Sequence, residues 1–304
     1  MPTEPSGAVS LSVVVAAWNG PNLLRACLES LALASGFGAF EVVVATADLP
    51  VVRALLETEF PWARVVVLPG TPNVPELRLA GLQHASGEFI AFLEDHAAVA
   101  PSWAEAVTAA HRMAGVLGVG GPVAPGANLS TLEWGAYLVD YGRFMPPCPS
   151  GARSDLSGVN MSFARSLLDT LRDVLNDGVF EGPLFEELRR RGVRLFFAAG
   201  AIVYQSRRLT LREALRSSYY LARGYADRRL GRERRVARIM RASSCVVLPL
   251  VMVGRVMSEV LPKRQDTTRV VRATGFVMLI AAAWSLGEFV GYLAGAGDSD
   301  SRWR

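Results

Sequence analysis

The chain has 304 residues, enough for one large domain or two modest ones. Hydrophobic residues make up 51% of it and mean hydropathy is +0.26, high for a purely soluble enzyme and a sign that some apolar surface meets lipid. Net charge is only +4, but arginines crowd residues 207–241 beside apolar segments, without aromatics interleaved along a groove; this favours an anionic membrane surface over nucleic acid.

Leu11–Ala17 (LSVVVAA) is a continuous apolar run of strand length, expected to be buried on both faces. Asn19, Gly20 and Pro21 end it, and residues 22–33 carry apolar side chains at helical spacing. Residues 41–45 read as a second buried strand, 51–59 as a short helix and Arg64–Leu68 as a third strand. Residues 75–85 read as a helix stopped by Ser86-Gly87, 88–93 as a fourth strand and 103–114 as another helix. Such alternation predicts an α/β fold built on a parallel, doubly wound sheet. Ligands of such sheets lie beyond the carboxyl ends of the strands, near a switch in strand order.

From 115 to 157 the pattern dissolves into Gly- and Pro-rich sequence, expected to be loops on a substrate face. Order returns at 158–163, in a helix over 184–191 and in a strand-like run over 193–204. The expected organisation is a catalytic domain over 1–206, a basic interfacial helix region over 207–241, apolar helices within 242–296 and a polar tail over 297–304. The apolar segments, 242–261 and 274–296, are each about long enough to cross a bilayer, but the first holds Arg255 and Glu259 and the second Glu288. Three membrane topologies fit: a spanning hairpin, a re-entrant hairpin, or one interfacial helix plus one span. Packing of both helices in a soluble core fits as well.

Cys27, Cys148 and Cys245 are odd in number and far apart, so neither a disulfide framework nor a metal spacing is expected. Residues 1–9 show no basic stretch leading into an apolar core. The expectation is no signal peptide and a catalytic domain on the cytoplasmic side of the cell membrane.

The fourth strand runs straight into Glu94-Asp95-His96. Glu94 and His96 are two apart and at a strand end both can turn to one side. A carboxylate with an imidazole suits Mn²⁺ or Mg²⁺, a diphosphate supplying further oxygens; a capped strand end or surface turn would produce the same letters.

SVVVAAWNGPNLLRACLESL followed by LRLAGLQHASGEFIAFLEDH resembles the family 2 glycosyltransferases, whose fold is GT-A. Ala16, Ala17, Trp18 and Asn19 stand where members carry a Pro-Thr-Tyr-Asn-like turn, and Arg78, Gly81 and Leu82 match an Arg-x-x-Gly-Leu helix. Glu94-Asp95-His96 holds the place of an Asp-x-Asp motif. GVNMSFAR, from Gly158, is similar to a Gly-Gly-Asn-x-x-Phe segment near the acceptor site. FEGPLFEELRRRG, from Phe180, is similar to a Glu-Asp-x-x-Leu helix, which sets Glu181 at the place of the catalytic Asp. The similarity runs from about residue 10 to about residue 225.

The resemblance implies an inverting sugar transfer from a nucleotide-diphosphate donor to a lipid-linked or glycan acceptor hydroxyl, assisted by a divalent metal. It implies Glu181 as general base, and Ala17, Trp18, Asn19, Asp48, Arg78, Glu94 and Asp95 around the nucleotide-sugar. Asn160 falls on the acceptor side, and Glu94, Asp95 and His96 at the metal. The departures are Ala45-Thr46-Ala47-Asp48 where base-contacting aspartates are usual, Gln205 where many members have His, and no Gln-x-x-Arg-Trp. A catalytically inactive membrane scaffold or sugar-nucleotide sensor fits these departures too.

Overall fold

The structure, a computed structural model, describes residues 10–176, 178–230 and 235–302. The reading of residues 1–9 as lacking a signal peptide lies outside them. In chain order the elements are β1 (Leu11–Ala17), α1 (Pro21–Ala32), β2 (Phe40–Ala47), α2 (Pro50–Glu59), β3 (Arg64–Leu68), α3 (Val74–His84), β4 (Phe89–Glu94), β5 (Ala97–Val99) and α4 (Trp103–His111). There follow β6 (Gly118–Gly120), β7 (Val123–Pro125), α5 (Thr131–Tyr141), β8 (Gly151–Arg153), β9 (Met161–Ala164), α6 (Arg165–Asp169), α7 (Arg172–Leu175), α8 (Glu181–Arg190), β10 (Leu195–Phe197) and β11 (Val203–Gln205). The last are α9 (Leu211–Leu230), α10 (Arg235–Ser244), α11 (Leu248–Val260), α12 (Thr267–Ala294) and α13 (Ser299–Arg302). Two compact units result. The first comprises the chain up to Gly126 together with Pro146–Arg207, the second Ala127–Met145 together with the chain from Arg208.

The first unit is the expected α/β body. Its eight-stranded sheet runs β3-β2-β1-β4-β9-β6-β10-β8. β1 is parallel to both β2 and β4, and β2 to β3. Unbroken apolar runs form the central strands, and every residue of β1 and β4 is buried, while edge strand β3 exposes Arg64, Val65 and Val67. β9 then enters antiparallel to β4 and β6, so the sheet is mostly parallel. β1 leads to β2 on one side while β4 lies on the other, which makes the β1/β4 boundary the switch point. Ala16 pairs with Glu94 across it, so the two strands end level.

Two packing details set the functional side chains. A Cβ on Gly81 would overlap the side chain of Val14, so glycine lets α3 lie close against β1. Arg78, one turn earlier on α3, is thereby held at the switch point. β4 also leads through Asp95 and His96 directly into β5, which pairs with β11 in a second sheet, β5-β11-β7.

The second unit is helical. Residues 127–145, expected as loops, instead hold α5, started by a capping box in which Ser130 Oγ accepts from Glu133 N and Glu133 Oε2 from Ser130 N. That helix belongs to this unit and not to the α/β body, so the expected boundary at 206 does not divide the chain cleanly. Segment 242–261 is not one straight helix: residues 237–244 and 248–263 are bent by 58°. The ladder gives way at Cys245, whose N–H reaches Ala242 O, and Pro249 opens α11 where its missing N–H costs nothing. α12, with 28 residues, is the one described helix long and apolar enough to cross a membrane.

α9 and α12 pack through small residues. Cβ atoms on Gly287 and Gly291 would collide with the backbone carbonyls of Tyr219 and Arg223 and crowd Ala222 and Ala226. Glu288 lies in the same seam, buried, with both oxygens occupied by Trp284 Nε1 at 2.7 Å and Tyr292 OH at 3.0 Å. Lys263 Nζ donates to the carbonyls of Gly142 and Arg143 at 3.1 and 3.2 Å, and also to that of Met145, tying the α11–α12 linker to the end of α5.

Candidate active site

The site lies where the sheet topology places it, beyond the ends of β1 and β4. Asp95 is fully buried and organises the turn after β1. Its Oδ2 accepts from the backbone N–H groups of Trp18 at 2.8 Å and Asn19 at 2.6 Å, and its Oδ1 from Asn19 Nδ2 at 2.6 Å. Three charge-assisted bonds to one carboxylate fix the loop against the neighbouring strand end. Glu94 turns the other way: Oε1 accepts from Arg78 Nη2 at 2.8 Å and Oε2 from Trp18 Nε1 at 3.3 Å.

Arg78 is the hub. Its side chain is only 2% exposed. Besides Glu94, it donates to Gly158 O at 3.0 Å and Val179 O at 3.3 Å, and both terminal nitrogens lie 3.4 Å from Glu181 Oε1. Glu181 opens α8, where a carboxylate is favoured by the helix dipole. The entry to α8 is tied to the start of α3 by Val179 N–H donating to Pro75 O at 3.0 Å, which brings residue 181 to residue 78. Glu181 remains 46% exposed in its side chain, so a ligand can reach it.

Burial by itself would push the Glu94 carboxyl up, but His96, Arg78, Trp18 Nε1 and Arg207 together hold it below the usual carboxylate range. Arg207 was not picked out as a site residue by the sequence. Its guanidinium sits 4.8 Å from the centroid of the Trp18 ring. The residue before it is anchored to the acidic turn, Ser206 N–H donating to His96 O at 2.9 Å. The usable signal was positional: the strand-end rule applied to β1 and β4 applies equally to β11.

The expected metal site is not assembled as a cage. Every Glu94 and Asp95 oxygen already accepts from a protein donor. His96, 1% exposed in its side chain, has Nδ1 3.3 Å from Asn19 Nδ2 and 3.7 Å from Glu94 Oε2. Among the described residues no three His, Cys, Asp or Glu side chains are grouped to hold a metal ion. Glu94, Asp95 and His96 therefore form no ligand cage by themselves.

Three other expected positions make the following contacts. Asn160 is buried: its Oδ1 accepts from Trp103 Nε1 at 3.0 Å, and its Nδ2 donates to Ala201 O at 2.8 Å and Pro122 O at 3.2 Å. It is a strut between segments of the fold. Ala17 is buried in β1 and offers no side chain to a ligand. Asp48 pairs with Arg53 of α2 instead of joining the cluster. Gln205 is buried on β11, and its Oε1 has no partner among the described residues.

A mostly parallel α/β sheet with an acidic turn at its switch point and a second carboxylate facing it is the GT-A arrangement. Residues 8–219 match the model of the family described as Glycosyltransferase like family 2, and the chain belongs to that family. No curated protein matches it.

Proposed function

We propose that the chain transfers a sugar from a nucleotide-diphosphate donor to the hydroxyl of a lipid-linked or glycan acceptor, with inversion, at the cytoplasmic face of a membrane. The observation that carries this reading is the Arg78 bridge, which sets Glu181 across from the Glu94–Asp95 turn. The nucleotide-sugar lies over Trp18 and Asn19, in the crevice at the switch point. The acceptor oxygen attacks the anomeric carbon as the bond from that carbon to the diphosphate oxygen breaks. The proton of the acceptor hydroxyl passes to the Glu181 carboxylate, and the electron pair of the broken bond leaves with the nucleoside diphosphate. Attack opposite the leaving group inverts the anomeric centre. Arg207 neutralises charge growing on the departing diphosphate; Arg78, enclosed by four protein partners, holds the two carboxylates apart.

The test is nucleoside-diphosphate release from a panel of nucleotide-sugars, using detergent-solubilised full-length protein and membrane lipid extract, with Glu181→Gln in parallel. Turnover with one donor, lowered about 10²–10⁴-fold in the variant, is expected for a general base. Nucleotide binding without turnover on any donor would favour the inactive scaffold or sensor.

A further inference from the structure

We infer that α12 does not cross the bilayer and that the second unit docks on one leaflet of an anionic membrane through the α10–α11 elbow. This rests on the membrane placement proposed above, but not on sugar transfer.

The length of α12 permits a span: 28 residues at about 1.5 Å each give about 42 Å, against a hydrocarbon core of about 30 Å. Its packing does not. The face bearing Gly287, Glu288 and Gly291 is closed by α9, whose backbone carbonyls lie against the two glycines. α9 is no membrane helix, since Arg212, Arg216, Arg228 and Arg229 are all exposed on it. Sinking α12 to bilayer depth would carry those arginines into hydrocarbon beside it, a large penalty for each charge. Val271, Leu279, Leu286, Phe289 and Leu293 are exposed on α12, but it is the central helix of its unit, with Val270, Ala273, Val277, Ile280, Ala281 and Tyr292 buried. A helix of that kind is apolar for the same reason as a span.

The elbow has the opposite character. Neither arm spans alone: α10 has 10 residues and α11 has 13, about 15 and 20 Å. The 58° bend prevents them from adding into one straight helix. At and beside the bend, Val246 is 80% exposed and Leu250 66%, with Ile239, Met240, Val247 and Val251 exposed as well. Six exposed apolar side chains within thirteen residues of one bend mark a contact site. The charge around it selects the partner. Arg238 and Arg241 precede the bend and Arg264 closes the segment, while Arg255, after the bend, pairs with Glu259, the one acid between 235 and 265. Apolar tips set among cations match an anionic headgroup layer over acyl chains.

Two measurements on the full chain decide the matter. The first is flotation with phosphatidylcholine vesicles, with and without phosphatidylglycerol. Flotation is expected to be at least tenfold greater with the anionic lipid and abolished by Val246→Glu with Leu250→Glu. Both positions are exposed, so circular dichroism should be unchanged. Undiminished flotation of that variant, or a wild-type chain that self-associates through these residues and ignores vesicles, would overturn the inference. The second is labelling of Gln265→Cys and Asp298→Cys, exposed positions just beyond the two ends of α12, by an impermeant maleimide in sealed inverted membrane vesicles. Both should react from the same side; reaction from opposite sides would make α12 a span and sink the proposal.

Discussion

Arg78 and Glu94 form a buried ion pair, Nη2 to Oε1 at 2.8 Å, between a helix and a strand end sixteen residues apart. The pair does more than offset two buried charges. The same guanidinium holds the carbonyls of Gly158 and Val179 and reaches Glu181, so one side chain ties α3 to the end of β4, the loop at Gly158 and the start of α8.

Removing one partner of such a pair leaves the other buried and uncompensated. Arg78→Met should therefore lower the unfolding free energy by about 3–5 kcal/mol. Replacing both, Arg78→Met with Glu94→Met, should recover much of that loss, because a pair exchanged for apolar groups is close to neutral. Urea unfolding of the two variants tests this. Equal destabilisation by the single and double changes would mean that Arg78 acts mainly through its carbonyl contacts.

Gly158 gives a way to move Glu181 without altering it. A Cβ at position 158 would overlap the Glu181 carboxylate and crowd Arg78 Nη2. The carboxylate is the end of a flexible, half-exposed side chain and the guanidinium the end of a long one, so Gly158→Ala should fold with both displaced. The expected result is kcat lower by about 10²-fold or more with nucleotide affinity held, since misplacing a catalytic group costs rate before binding. Unchanged kcat would remove Glu181 from the chemistry. The glycine in the acceptor-side motif is thus explained by space and not by backbone conformation.

What the sequence disclosed follows from what it encodes locally. Apolar runs and Gly/Pro breaks located β1 to β4 to within a residue or two; β1, β2 and β4, buried on both faces, need no partner information to be recognised, and β3, exposed at the sheet edge, shows the same apolar run. The switch-point rule then led to Trp18 and Glu94. The fate of each side chain depends on neighbours distant in the chain and was not legible: Asn160 became a strut through Trp103 and Ala201, and Asp95 became a loop anchor through Trp18 and Asn19. α5 was legible and overlooked. Ser130 and Glu133 form the capping-box signature three residues apart, masked by the Gly/Pro content on either side.

Arg207 and a metal ion make different predictions for the diphosphate. With Arg207 as the neutralising cation, the preference for a nucleoside diphosphate over the monophosphate should persist in EDTA. It should fall about tenfold in Arg207→Gln, one charge-assisted contact being worth roughly 1.5–3 kcal/mol at most. Calorimetry with both nucleotides, with and without Mn²⁺, separates the cases. A preference that vanishes on chelation and survives Arg207→Gln would restore the metal as the principal charge carrier.

His111 provides a probe of the sheet away from the site. It is buried at the end of α4, stacked on Phe89 with centroids 4.4 Å apart, with Nε2 2.9 Å from Ser162 Oγ and Nδ1 without a partner among the described residues. Burial pushes its pKa down from 6.5 to about 4. The unfolded chain therefore takes up a proton at this residue before the folded chain does. The resulting stability is fully present above pH 6.5 and lost as pH falls from there toward 4. The gap corresponds to roughly 3 kcal/mol at its limit. His111→Gln keeps a donor toward Ser162 and cannot titrate, so the fall in urea midpoint between pH 7 and pH 5 should be shallower in the variant. Parallel pH profiles for the two proteins would mean that the acid sensitivity of the fold arises elsewhere, with the buried carboxylates of the active site the next groups to replace.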